Sequence, residues 1–109
     1  MSARPAGRVV GLVDDLMDRS RLGAIDGIAF TREPTACAGA SVVLVDLARH
    51  AAAIPAIVDA APHARIVAFG SHVDTDALDE AARAGATVVL PRSQFLRDPV
   101  AVVAALLGD

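Results

Sequence analysis

The chain has 109 residues and a mass of 11.1 kDa, the size of one domain, and 54% apolar content is enough to build its core. A net charge of −3, a pI near 5.5 and the lack of Trp and Tyr argue against a binder of phosphate backbones or stacked bases. No apolar stretch can span a bilayer, no signal peptide is visible, and a lone cysteine allows no internal disulfide, so the composition predicts a soluble cytoplasmic globule without nucleic-acid or membrane partners.

Residues 1–7 are small, polar and unpatterned and predict a mobile tail ahead of one domain over residues 8–109. The first apolar run, Val9 to Val13, is apolar on consecutive positions, as a strand covered on both faces reads. A second run, Ile25 to Phe30, is interrupted by Asp26-Gly27 and suits an outer strand. Thr31 to Ala40 has room for one or two helical turns. Ser41 to Val45 is the third run, and a helix interrupted or restarted near Pro55 must fit between Asp46 and Arg65. Ile66 to Phe69 is the fourth run. Asp74-Thr75-Asp76 then opens a helix with Leu78, Ala81, Ala82 and Gly85 on one face, and Gly85 supplies the left-handed stop. Thr87 to Leu90 is the fifth run. Asp98-Pro99 caps a last helix that runs from Val100 to Leu107 and stops at Gly108. Five repeats of strand and helix predict an α/β three-layer sandwich, (βα)5, around an open parallel sheet.

Chemistry in such sheets gathers at the carboxyl ends of the strands. There the sequence places Asp14-Asp15, Asp46, Gly70-Ser71-His72 and Arg92-Ser93. Each alone also reads as an ordinary polar end to a buried strand; the informative feature is their convergence. Other candidates are weaker. Ser71 and His72 are neighbours on an extended segment and point apart, and no nucleophile elbow is present, so a hydrolase triad with Asp46 is not expected. His50, His63 and His72 lack metal-ligand spacing and read as surface or loop histidines. Cys37 lies among small residues with no basic neighbour and reads as inert.

The stretches GLVDDLMDRSRL, SVVLVDL, RIVAFGS and DALDEAARAGATVVLPRS resemble the receiver domain of two-component response regulators, over about residues 8–107. The most specific string is ALDEAARAGATVVL, which matches the turn the family places between its fourth helix and fifth strand. The resemblance implies a flavodoxin-like fold with strand order 2-1-3-4-5, Mg2+ held by Asp14, Asp15 and Asp46, Asp46 as phosphoacceptor, and a histidine kinase as phosphodonor. Hard oxygen ligands suit that ion. The departures mark an atypical receiver. The family's lysine falls on Arg92 and its following proline on Ser93; the switch Ser/Thr falls on Gly70, with Ser71 one position late; and Leu47-Ala48-Arg49-His50 replaces the usual loop after the phosphoacceptor. The strings FGSHVDT and LPRSQF also resemble small receiver-like bacterial proteins, which implies no activity.

Arginine is a planar fork that grips carboxylates, where lysine is a compact point charge. Two placements of Arg92 stay open: paired with Asp46, or turned to solvent or to Asp98. The last helix is apolar around its circumference, and by the resemblance Val100, Val102, Val103 and Leu106 are interface candidates for a homodimer, or a heterodimer with another protein, formed with the fifth strand. The reading that follows is a non-catalytic, stand-alone receiver-like signalling or protein-interaction domain with a degenerate phosphorylation site. Its rivals are a working receiver phosphorylated on Asp46 with Mg2+, and a small-molecule binder or enzyme using the same crevice.

Overall fold

Strands that are apolar on every position demand cover on both faces, and the helices divide accordingly. The computed structural model describes residues 8–108; the tail expected over residues 1–7, like Asp109, lies outside the described residues. The strands are β1 (Val9–Leu12), β2 (Ala29–Phe30), β3 (Val42–Asp46), β4 (Arg65–Gly70) and β5 (Val88–Pro91). They form one parallel sheet in the order β2-β1-β3-β4-β5. The helices are α1 (Leu16–Leu22), α2 (Leu47–His50), α3 (Ile54–Ala60), α4 (Thr75–Ala84), α5 (Arg92–Arg97) and α6 (Pro99–Leu107). Among the described residues no helix is long and apolar enough to cross a membrane.

Successive strand residues feed opposite cores. Val10, Leu12, Val43, Val45, Ile66 and Ala68 pack with Leu47, Ile54, Ile57 and Ala81 under α2, α3 and α4. Val9, Val42, Leu44, Val67 and Phe69 pack with Leu22, Phe95 and Val103 under α1, α5 and α6. The Phe69 and Phe95 rings meet at 4.8 Å between centroids. A period of two therefore does not appear as an apolar–polar alternation, because both faces are dry.

Three expectations are corrected. The second strand is Ala29–Phe30 and not Ile25 to Phe30, because Gly27 turns the chain at φ +72° and Ile25 is buried in the core ahead of the turn. The buried side of α4 carries Leu78, Ala81 and Ala84, while Ala82 is exposed; Ala84 lies three residues on from Ala81, where the helical repeat returns to the same face. Residues 92–97, which have no expected helix, form α5 directly after β5, and it is held down by fully buried Phe95. The segment after Asp46 restarts as anticipated, with α2, a 3-10 turn over Ala51–Ala53, and α3 with Pro55 in its first turn. Gly85 ends α4 at φ +122°, donating its N–H back to the last turn. A Cβ at Gly85 would stand 2.9 Å from Val58 Cγ2.

Candidate functional site

The parallel register brings the carboxyl ends of β1, β3 and β5 to one edge of the sheet, where the chain turns into α1, α2 and α5. Asp15 caps α1, its carboxylate accepting from the Asp18 N–H at 3.0 Å. Asp46 ends β3 and caps α2 by accepting from the Ala48 N–H at 3.0 Å. Both caps follow from placing a short acidic side chain just before a helix. Asp14, Asp15, Asp18, Asp46, Ala48, Arg49 and Arg92 line a cavity of about 370 Å³. Asp14, Asp15, Asp46 and Arg92 of the expected set thus meet. Asp18 is the member that sequence reading left out.

Asp46 is the one buried charged residue among those described, with 3% of its surface exposed. Its Oδ1 accepts from Arg92 Nη2 at 2.5 Å as well as from Ala48. Arg92 Nη1 pairs with Asp18 Oδ2, and the guanidinium lies over the Phe69 ring, 5.2 Å from its centroid. The fork therefore spans two carboxylates while its face rests on an aromatic ring, which a lysine ammonium could not reproduce. Of the two placements open to Arg92, the structure has the one on Asp46. Asp98 is occupied elsewhere, capping α6 through the Ala101 N–H.

Asp14, on the same cavity, is engaged by a different pair. His50 Nε2 lies 3.0 Å and Arg32 Nε 3.5 Å from its Oδ1. The hydrogen bond to His50 is the main reason the Asp14 carboxyl sits below its ordinary pKa; the charges of His50 and Arg32 add to it, and burial opposes them. His50, expected at the surface, is thus half-buried against a residue 36 positions away. His63 and His72 are exposed. Cys37 is buried, and burial pushes its thiol pKa up, away from reactivity.

The switch position does not join the site. A Cβ at Gly70 would lie 3.2 Å from Leu47 Cβ, so the place of a side chain is taken by Leu47. Ser71 is exposed, and its hydroxyl accepts from the Val73 N–H within its own loop at 3.4 Å. Of the four interface candidates on α6, Val103 is buried, Val102 and Leu106 are partly buried against the same core, and Val100 is exposed.

The donors were hard oxygens suited to Mg2+, but the arrangement does not fit that ion. Asp14 is engaged by His50 and Arg32 and Asp46 by Arg92. Among the described residues no group of three or more His, Cys, Asp or Glu side chains is arranged to hold a metal.

No protein-family model matches the chain, and no curated protein matches it. Its fold does match solved structures. The BeF3-activated DrrB receiver domain is 13% identical, with a TM-score of 0.76 over 96% of this chain and 100% of that one. A CheY-like protein (tadZ) from Pseudomonas aeruginosa PAO1 is 17% identical, with a TM-score of 0.70 over 92% and 98%. A response regulator from Burkholderia pseudomallei with a phosphorylated aspartic acid, calcium and citrate is 20% identical, with a TM-score of 0.67 over 90% and 64%. The architecture is the flavodoxin-like fold of receiver domains.

Proposed function

We propose that this chain is a receiver-like signalling module that works through protein contacts and does not switch by phosphoryl transfer. One observation carries the reading: the carboxylate at the phosphoacceptor position, Asp46, is buried and bound by Arg92. A guanidinium there supplies the charge balance that a metal ion supplies in a phosphoryl-transfer site. With Gly70 closed by Leu47 and Ser71 tied into its own loop, no hydroxyl among the described residues at this strand end stands ready to follow a phosphoryl group. Nothing in the cavity forms a nucleophile–base pair, so catalysis by this edge is not part of the reading.

A working phosphoacceptor is the second reading, and one detail favours it. Both bonds to Asp46 use Oδ1, and Oδ2 accepts no hydrogen bond among the described residues while Asp46 lines the cavity. The response regulator from Burkholderia pseudomallei shows that this fold can carry a phosphorylated aspartate. Incubation with acetyl phosphate and Mg2+ followed by intact-mass measurement separates the two. We expect the unmodified mass; a one-phosphoryl adduct that disappears in Asp46→Asn overturns the first reading and establishes the second.

A further inference from the structure

We propose that Arg92 is the resident cation of this acidic edge and that Asp18 positions it, so that the guanidinium and a divalent metal ion compete for the same carboxylates. The inference deepens, and rests on, the reading of Asp46 as a carboxylate held in a standing ion pair. Four aspartates and two arginines line the cavity. Only Arg92 bridges two of those aspartates, which come from different elements, Asp18 on α1 and Asp46 at the end of β3. Asp18 is well shielded, with 14% of its side chain exposed. It lies one turn beyond the α1 cap, so its direction is set by the helix that Asp15 starts. Phe69 supports the guanidinium face. Held at both ends and on one face, the fork is fixed where its charge offsets carboxylates that would otherwise repel one another.

The oxygens left over define the competition. Asp46 Oδ2 and Asp14 Oδ2 accept no hydrogen bond among the described residues, Arg92 lies between Asp18 and Asp46, and as the chain stands no three His, Cys, Asp or Glu side chains among the described residues are arranged to hold a metal. Taking the guanidinium away leaves hard oxygen donors with uncompensated charge, the condition under which a divalent ion is bound. A residue that merely packed α1 would alter stability without altering the response to metal. A positioning residue alters both.

The test is titration of the full chain with MnCl2 at constant ionic strength, followed by calorimetry and by the melting temperature. The unaltered chain should give no saturable heat up to ~10 mM and a melting temperature steady to ~1 °C, whereas Arg92→Ala should bind with a Kd on the order of 1 mM or below and melt higher as Mn2+ is added. Asp18→Asn, which leaves Arg92 held by Asp46 alone, should fall between them. Adding Asp46→Asn to Arg92→Ala should weaken the gained binding by ~10-fold or more. The proposal is overturned if the unaltered chain binds Mn2+ as tightly as Arg92→Ala, or if Arg92→Ala gains nothing. It is also overturned if Asp18→Asn lowers the melting temperature without changing the Mn2+ response. Arg92→Gln, which keeps donors without the charge, is read in the same way should Arg92→Ala not fold, and the unaltered and Asp18→Asn chains decide the matter without either. An unaltered chain that resists acetyl phosphate yet binds Mn2+ defeats this inference and leaves the functional reading standing. A chain that accepts the phosphoryl group defeats the functional reading whatever the Mn2+ titration gives.

Discussion

Replacing Arg92 by alanine tests the central contact through stability alone. Breaking a fully buried ion pair from one side costs about 3–5 kcal/mol, because the remaining charge is left without compensation. Losing one hydrogen bond to a charged group costs about 1.5–3 kcal/mol. Asp46 is close to the first case, with 4% of its side chain exposed; Arg92 is not, with 31% exposed, so water can enter the space it vacates. Asp46 also keeps the Ala48 N–H. The expected loss is therefore about 2–3 kcal/mol, in the upper part of the hydrogen-bond range and just under the range for a fully buried pair. For a chain of this size the urea midpoint should fall by about 1–2 M at unchanged slope. Neutralising the orphaned carboxylate should then restore stability: Asp46→Asn added to Arg92→Ala should be more stable than Arg92→Ala alone. A loss for Arg92→Ala below about 0.5 kcal/mol, the range of an ordinary surface pair, would refute the reasoning, as would a double variant less stable than the single one.

Two further outcomes follow from backbone and charge. Gly85→Ala should cost about 2–3 kcal/mol, since it forces an L residue to a positive φ and sets a Cβ against Val58; Gly27→Ala, at φ +72° with nothing within 4 Å, should cost only about 1 kcal/mol. Equal losses in urea melts would show that the Val58 contact adds nothing. Because His50 and Arg32 lower the pKa of Asp14 in the folded chain, the stabilisation is present above the ordinary carboxylate pKa of about 4 and disappears as pH falls through the lower folded value. Asp14→Asn should therefore be less stable than the unaltered chain near neutrality, with the gap closing in urea melts taken down to about pH 3. A gap that persists at acid pH would assign the effect to something other than ionisation.

The layered architecture was legible because each of its causes is local. Consecutive apolar positions at Val42 to Val45 report two dry faces whatever lies on them. Asp74 and Asp98 announce helix starts through bonds made within one turn. The strand order came from likeness to receiver domains and not from pattern, since periodicity says nothing about which strands are neighbours. The short α5 escaped because it has no capping side chain, and its buried anchor, Phe95, is covered by contacts with distant elements, among them the Phe69 ring.

For the site, the sequence determined which residue types stand at the strand ends: Asp14, Asp15, Asp46 and Arg92 follow directly from where the apolar runs stop. Only the tertiary structure decided their pairing. Asp18 carries no signal of its own in the sequence and gains its role only when α1 is laid beside α5, and His50 reads as a surface or loop residue until α2 is brought to the end of β1. Helix and strand formation depend on bonds a few residues apart, so they are encoded in the order of the chain. The meeting of Arg92 with Asp18 and Asp46 depends on distances across the folded sheet edge, where fractions of an ångström decide which carboxylate an arginine can reach.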